Sequence, residues 1–206
     1  MWLKVNCPFH LLRNSVSTLQ VLLNDLTSSD EARAEGAVSA LIEAGEEAIP
    51  ALLELTKSKD ADKRWWALRV LAQSPHSRTD WLVPFLNDPA ADVRQCAALG
   101  LSIKPDESAI ESLVRALSDE DTLVSNLAVK ALFRIGKAAV PPLIENVKSG
   151  SQSSRILALR ALVEIRDHRA IPIMMQVMNE DSALLQHWAK EGLERLGLDM
   201  VYIKPV

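Results

Sequence analysis

Four histidines, two cysteines and a few tryptophan-centred groups are the places where chemistry could arise in this 206-residue chain. Cys7 and His10 have the Cys-x-x-His spacing that opens a zinc site. A structural zinc needs a closed tetrahedral set of ligands, however, and no second pair follows them. His76, His168 and His187 are scattered. There is no HExxH, no glycine-rich phosphate loop with its lysine, no GxSxG, and no Cys-His pair with an orienting partner. The sequence therefore predicts no catalytic residue, no metal ligand and no cofactor. It offers recognition groups instead. Trp65 falls in a mostly polar helix column and is grouped with Arg69, while Trp81 lies beside Asp80 and Arg78. Exposed aromatics anchor contacts, but Trp65 packed on a neighbouring loop and Trp81 in the core fit the same residues. A polar row, Glu54, Arg115, Glu145 and Gln176, fits a surface that reads a partner's charges and fits a solvated face equally well. Met174, Met175 and Met178 are at helical spacing and read as core.

The elements that would carry these residues repeat. A small residue with leucine four positions on recurs at Ala37/Leu41, Ala67/Leu71, Ala97/Leu101, Ala128/Leu132, Ala158/Leu162 and Ala189/Leu193, in steps of 30, 30, 31, 30 and 31 residues. Three positions after each anchor stand Ala40, Val70, Gly100, Ala131, Ala161 and Gly192. Together these positions form an i, i+3, i+4 stripe, which is helical. A small residue kept at one place in every copy predicts close helix–helix approach. A fixed period in this range predicts a repeat array.

Each unit has a second half. Ile49-Pro50, Val140-Pro141 and Ile171-Pro172 each open an apolar run, and proline at the first helical position marks the start of a second helix, B. Gly45, Gly136 and Gly197 stand eight residues after their anchors, where the first helix, A, should stop on a left-handed cap. The Asp and Ser clusters at Ser28–Asp30, Asp60–Asp62, Asp88–Pro89, Asp119–Asp121, Ser149–Ser151 and Glu180–Ser182 read as N-caps of the next helix A. Unit one (Ser29–Thr56), unit four (Asp119–Lys148) and unit five, with its Arg155–Met178 template, follow the pattern. Unit two (Asp60–Leu86) departs from it, with proline late in its second helix at Pro84. Unit six stops after one helix, Leu184–Leu196, whose polar residues suit a C-terminal cap. Ser15–Leu26 reads as the B half of an incomplete first unit.

The stretches DPAADVRQCAALGL (Asp88–Leu101) and LAVKALFRIGKAAVPPLIENV (Leu127–Val147) resemble the short HEAT-like repeats of phycobilin lyase subunits. The resemblance covers roughly 29 to 197. It implies an all-α fold, a right-handed α-α superhelix (solenoid) of ~30-residue HEAT-like hairpins in which helix B lines a concave surface. The expected organisation is a single domain over 1–206: an N-terminal segment and capping helix at 1–28, repeats at 29–197 and a C-terminal tail at 198–206.

Composition narrows the function. The formal charge is −4, which disfavours a nucleic-acid surface. No apolar run reaches membrane-spanning length, the first fourteen residues fail as an export signal, and two cysteines in different units suit a reducing cytoplasm. The expectation is a non-catalytic scaffold or adaptor that binds a protein partner on its helix B surface. One alternative implied by the resemblance is a phycobilin lyase-like subunit holding a tetrapyrrole, with Arg or Lys on its propionates. Another is a HEAT-like DNA glycosylase using Trp81, Asp80 and Arg78, against which the acidic balance stands. A di-iron hydroxylase of HEAT-like type fails, because its metal sites use His-Glu pairs and none occurs.

Overall fold

Helix starts are fixed by short polar side chains. Asp30, Asp60, Asp121, Ser151 and Ser182 each stand in extended backbone and accept a hydrogen bond from an amide of the first turn that follows. In the computed structural model the backbone is described for residues 9–180 and 182–198, and side chains from 18 onward within those ranges. Cys7, the His10 side chain and the tail beyond 198 lie outside the described residues. The helices are α1 (Phe9–Leu26), α2 (Glu31–Glu43), α3 (Ile49–Leu55), α4 (Ala61–Gln73), α5 (Thr79–Leu82), α6 (Ala91–Ile103), α7 (Ile110–Ala116), α8 (Thr122–Ile135), α9 (Val140–Ser149), α10 (Gln152–Ile165), α11 (Ile171–Val177) and α12 (Ala183–Arg195). No strand occurs among the described residues. The expected all-α repeat fold is present.

The contacts divide the chain at Trp81/Leu82 into two units. In the first, α2 packs on α4, with α1 against α2 and α3 against α4. Since α1 meets α2 as α3 meets α4, it has the B-type role read from Ser15–Leu26, and it begins earlier, at Phe9. In the second unit α6, α8, α10 and α12 form one layer of A helices, and α7, α9 and α11 form the B layer behind them. The stripe residues lie between these helices. All six anchor alanines are buried, and every leucine four positions on is at most 1% exposed. Each such leucine contributes roughly 1.5–3 kcal/mol of burial. Met174 is buried as core while Met175 is exposed.

Helix ends follow the residue found eight positions after the anchor. Gly45, Gly136 and Gly197 have φ of +62°, +80° and +81°. Gly136 combines its positive φ with ψ −133°, so it leaves the helix by a glycine-only route other than the left-handed cap. Units two and three place Pro75 and Pro105 there, which cannot take positive φ. Their A helices instead end in non-helical backbone at Ser74 and Lys104. Unit five has Arg166, forced into the left-handed region at φ 54°, ψ 46°. Arg166→Gly is expected to stabilise the protein by about 0.5–1 kcal/mol, because a side chain is disfavoured in that conformation. A urea midpoint unchanged or lowered would count against it.

Two expectations need correcting. Asp88 is not an N-cap: Ala90 holds that position on α6 without a side-chain bond, and Asp88 accepts from the Ala90 amide. The second helix of unit two is one α turn, α5, followed by a 3-10 turn over Val83–Asn87. Pro84 lacks an N–H and crowds the carbonyl four residues back, so an α-helix cannot run through it.

In four of the six units the position three before the anchor holds a long polar side chain, Arg64, Arg94, Arg155 or Gln186, which ties successive hairpins together; Ala34 and Ser125 stand there in the other two. Arg64 donates to the Ser58 and Lys59 carbonyls, Arg94 to those of Asp88 and Pro89, Arg155 to Val147 and Gln186 to Glu180. The Val147 carbonyl is in the last turn of α9, where no intrahelical partner follows, and the others lie in the turns between helices. Arg94 also makes a bidentate pair with Asp119 (Nε–Oδ2 and Nη2–Oδ1, both 2.9 Å) and reaches Glu120 at 3.3 Å. Arg155 holds Glu180 at 2.6 Å. Before α11, Arg169 hydrogen-bonds Asp167 and pulls that carboxyl down to about 2.

Candidate functional site

Two grooves open between the N-terminal ends of successive A helices, one in each unit. In the second unit the groove between α8 and α10 measures about 540 Å³. Its walls carry hydroxyls and an amide from Ser118, Thr122, Ser125, Asn126, Ser151 and Ser153. Leu117, Ile156 and Leu157 supply apolar surface, Arg160 supplies a cation, and Asp119 and Glu120, both paired with Arg94, supply carboxylates at the rim. The capping turn at Asp119–Asp121 forms part of its edge. The Asp119 carboxylate is taken by Arg94. Asp121 is held below the usual carboxylate range, chiefly by the Val124 amide and then by Gln95.

Arg160 lies two residues after its anchor. It donates to Asn126 Oδ1 at 3.0 Å and its guanidinium lies 5.6 Å from the Trp188 ring centre. Asn126 and the ring of Trp188, itself edge-on to His187 at 5.4 Å, hold it in place. The arrangement pairs an oriented guanidinium with an apolar wall and many hydroxyls. Such a groove suits an amphiphilic anion, and its size falls within the range of small-molecule sites.

The equivalent groove of the first unit, about 410 Å³ between α2 and α4, has Trp65 and Trp66 where the other has Ile156 and Leu157. The indoles meet edge to face, 4.8 Å apart at 80°. Arg69 stands 5.2 and 5.3 Å from their centres and bonds Glu35 at 2.7 Å. Arg69 and Arg160 share one offset from the anchor, and each reaches the residue two before the preceding anchor.

Of the residues predicted from sequence, the structure brings Trp65 and Arg69 together. Trp65 is half-buried. Trp81 packs on the core of the first unit, as its core reading allowed. Arg78 closes a bidentate pair with Asp80 and lies 5.5 Å from the Trp81 ring, so that trio is satisfied internally. Glu54, Arg115, Glu145 and Gln176 are exposed. The three charged members bond on their own helix or just past its end, to Lys57, Ser112 and Lys148. The Arg160 groove was missed, although the shared offset of Arg69 and Arg160 was a signal available for it. Among the described residues no group of three or more His, Cys, Asp or Glu side chains is placed to hold a metal. No described helix is long and apolar enough to cross a membrane.

Residues 79–156 match the family model of HEAT repeats, and residues 154–180 match that of the PBS lyase HEAT-like repeat. The hairpins there are HEAT-like repeats, as their sequence pattern indicated. Among relatives, the chain is 36% identical over 88 residues to phycocyanobilin lyase subunit beta of Pseudanabaena tenuis, covering 42% of this chain and 31% of that protein. It is 28% identical over 162 residues to an uncharacterized phycocyanin operon protein Z of the same organism, covering 73% of this chain and 80% of that one. The complex of CpcE and CpcF of phycocyanin lyase from Nostoc contains a chain of the same fold, with TM-score 0.54 and 24% identity over 71% of this chain and 98% of that one. The chain thus spans less than a third of the lyase subunit's length.

These relatives overturn the expectation of a non-catalytic adaptor working through helix B. That expectation rested on the absence of a catalytic motif, and the relatives named as lyase subunits show that such repeats occur in catalytic proteins.

Proposed function

We propose that this chain is a lyase-type subunit that holds an open-chain tetrapyrrole in the cytoplasm and acts with a second protein subunit. The observation that carries the reading is its 36% identity to a phycocyanobilin lyase subunit. The groove between α8 and α10 supports it chemically. A bilin is a conjugated, largely apolar chain with two propionates and polar pyrrole edges. Arg160 would pair with a propionate, Leu117, Ile156 and Leu157 would cover the conjugated system, and the Ser, Thr and Asn groups would meet its polar edges. The contribution of this chain is to bind, orient and partly desolvate the pigment.

Phycocyanobilin added to the purified protein should shift and sharpen its visible absorption. Arg160→Gln should weaken that binding about tenfold, the loss of one charge-assisted hydrogen bond, without changing the helical circular dichroism. A flat spectrum with the unmodified protein would remove the reading. Full retention by Arg160→Gln would move the pigment to another surface.

A further inference from the structure

The groove of the first unit has a chemistry that a bilin does not fit. Its ionised lining consists of Glu31, Asp60 and Asp62 against Lys63 alone, three carboxylates to one ammonium. Propionates would be repelled there. The Asp60 carboxylate caps α4 through the Asp62 amide, whereas the Glu31 and Asp62 side chains, both exposed, have no hydrogen-bond or ion-pair partner among the described residues. Two indoles at right angles line the same groove, and indole faces attract cations. The protein already uses them in this way, since one guanidinium, that of Arg69, stands within 5.3 Å of both ring centres. Glu35 neutralises that internal cation, so it does not answer the charge of the Glu31 and Asp62 carboxylates.

From this we infer that the groove between α2 and α4 is a docking site for an arginine-bearing segment of a protein partner, seated against Trp65 and Trp66 and paired with Glu31 and Asp62. Charge complementarity selects the occupant. A guanidinium can lie against an indole and donate to two carboxylates at once, which a neutral or acidic segment cannot do. The site differs from the bilin groove in its indoles and in its unpaired carboxylates, since the two carboxylates lining that groove, Asp119 and Glu120, are both met by Arg94, and the inference does not rest on the lyase reading.

The probe is a hexa-arginine peptide titrated into the full chain at low salt, followed by tryptophan fluorescence and calorimetry, with hexaglutamate as control. Hexa-arginine should bind, hexaglutamate should not, and affinity should fall as salt rises. The double variant Glu31→Gln/Asp62→Asn, which alters only exposed groups, should bind about tenfold more weakly, and so should Trp65→Ala. Glu46→Gln/Glu47→Gln, a carboxylate pair of the same unit away from the indoles, should bind as the parent does. Absence of hexa-arginine binding, binding that all variants retain equally, or a loss shared by the Glu46/Glu47 control would overturn the inference. None of these variants should alter the phycocyanobilin spectrum, so the two proposals fail separately.

Discussion

Replacing Arg94 by alanine is expected to cost ~3–5 kcal/mol of unfolding free energy, a large share of what a domain of this kind has to lose. The side chain is 8% exposed and its partner Asp119 10%. The guanidinium fills two roles. It gives hydrogen bonds to the Asp88 and Pro89 carbonyls in the turn before α6, and it closes a bidentate pair with Asp119 in the turn before α8. The Asp119 hydrogen bond holds it more firmly in the charged form than an isolated arginine. Removing it leaves the buried Asp119 carboxylate with only the Asp121 amide to meet its charge and takes the arginine donor from two carbonyls, and under-satisfied groups of that kind account for most of the cost. The urea midpoint should fall sharply for Arg94→Ala. Arg94→Met with Asp119→Leu removes both charges and should recover a large part of the loss. A midpoint within ~1 kcal/mol of the parent for the single variant would mean that the pair is solvated and does not tie the hairpins.

How far this was legible in the sequence depends on the range of the interaction. The anchor alanines and the leucines four residues on were readable because one helix face repeats its sizes six times. Asp30, Asp60, Asp121, Ser151 and Ser182 were readable because a cap acts on amides two or three residues away. Pro50, Pro141 and Pro172 stand at the first turn of α3, α9 and α11 for an equally local reason. The reading failed where a residue's partner lies in the next repeat. Arg94 and Asp119 are twenty-five positions apart, and nothing local distinguishes Arg94 from an exposed helical arginine. Arg160 with Asn126, and Arg69 with Glu35, have the same separation of thirty-four, a regularity that appears only after the repeats are superposed. Arg166 took a glycine's conformation because the repeat geometry imposes the turn there. The function was misread for another reason. A groove lined by one arginine, several hydroxyls and an apolar wall on two helices carries no linear motif, so the lack of motifs was no ground for expecting a non-catalytic adaptor.

Ala128→Leu is expected to destabilise the second unit by about 3 kcal/mol, the upper range for forcing volume into a filled core. Ala128 is 0% exposed on α8, which packs against both α6 and α10. Three added carbons there have to displace α6, α10 or the leucine one turn along. Leu132, also 0% exposed, is the large member of the stripe, and Leu132→Ala should cost ~2–5 kcal/mol by opening a cavity in the same layer. The decisive variant combines the two. Ala128→Leu/Leu132→Ala keeps the total volume of the stripe and exchanges where it sits, so a core that needed only volume would return close to the parent. If the small residue is required because neighbouring helices approach at that level, the bulk is still in the wrong place. The double variant should then recover less than half of the summed loss. Differential scanning calorimetry on the four proteins reads this directly, and near-complete recovery would show that the alanine row reflects composition and not helix approach.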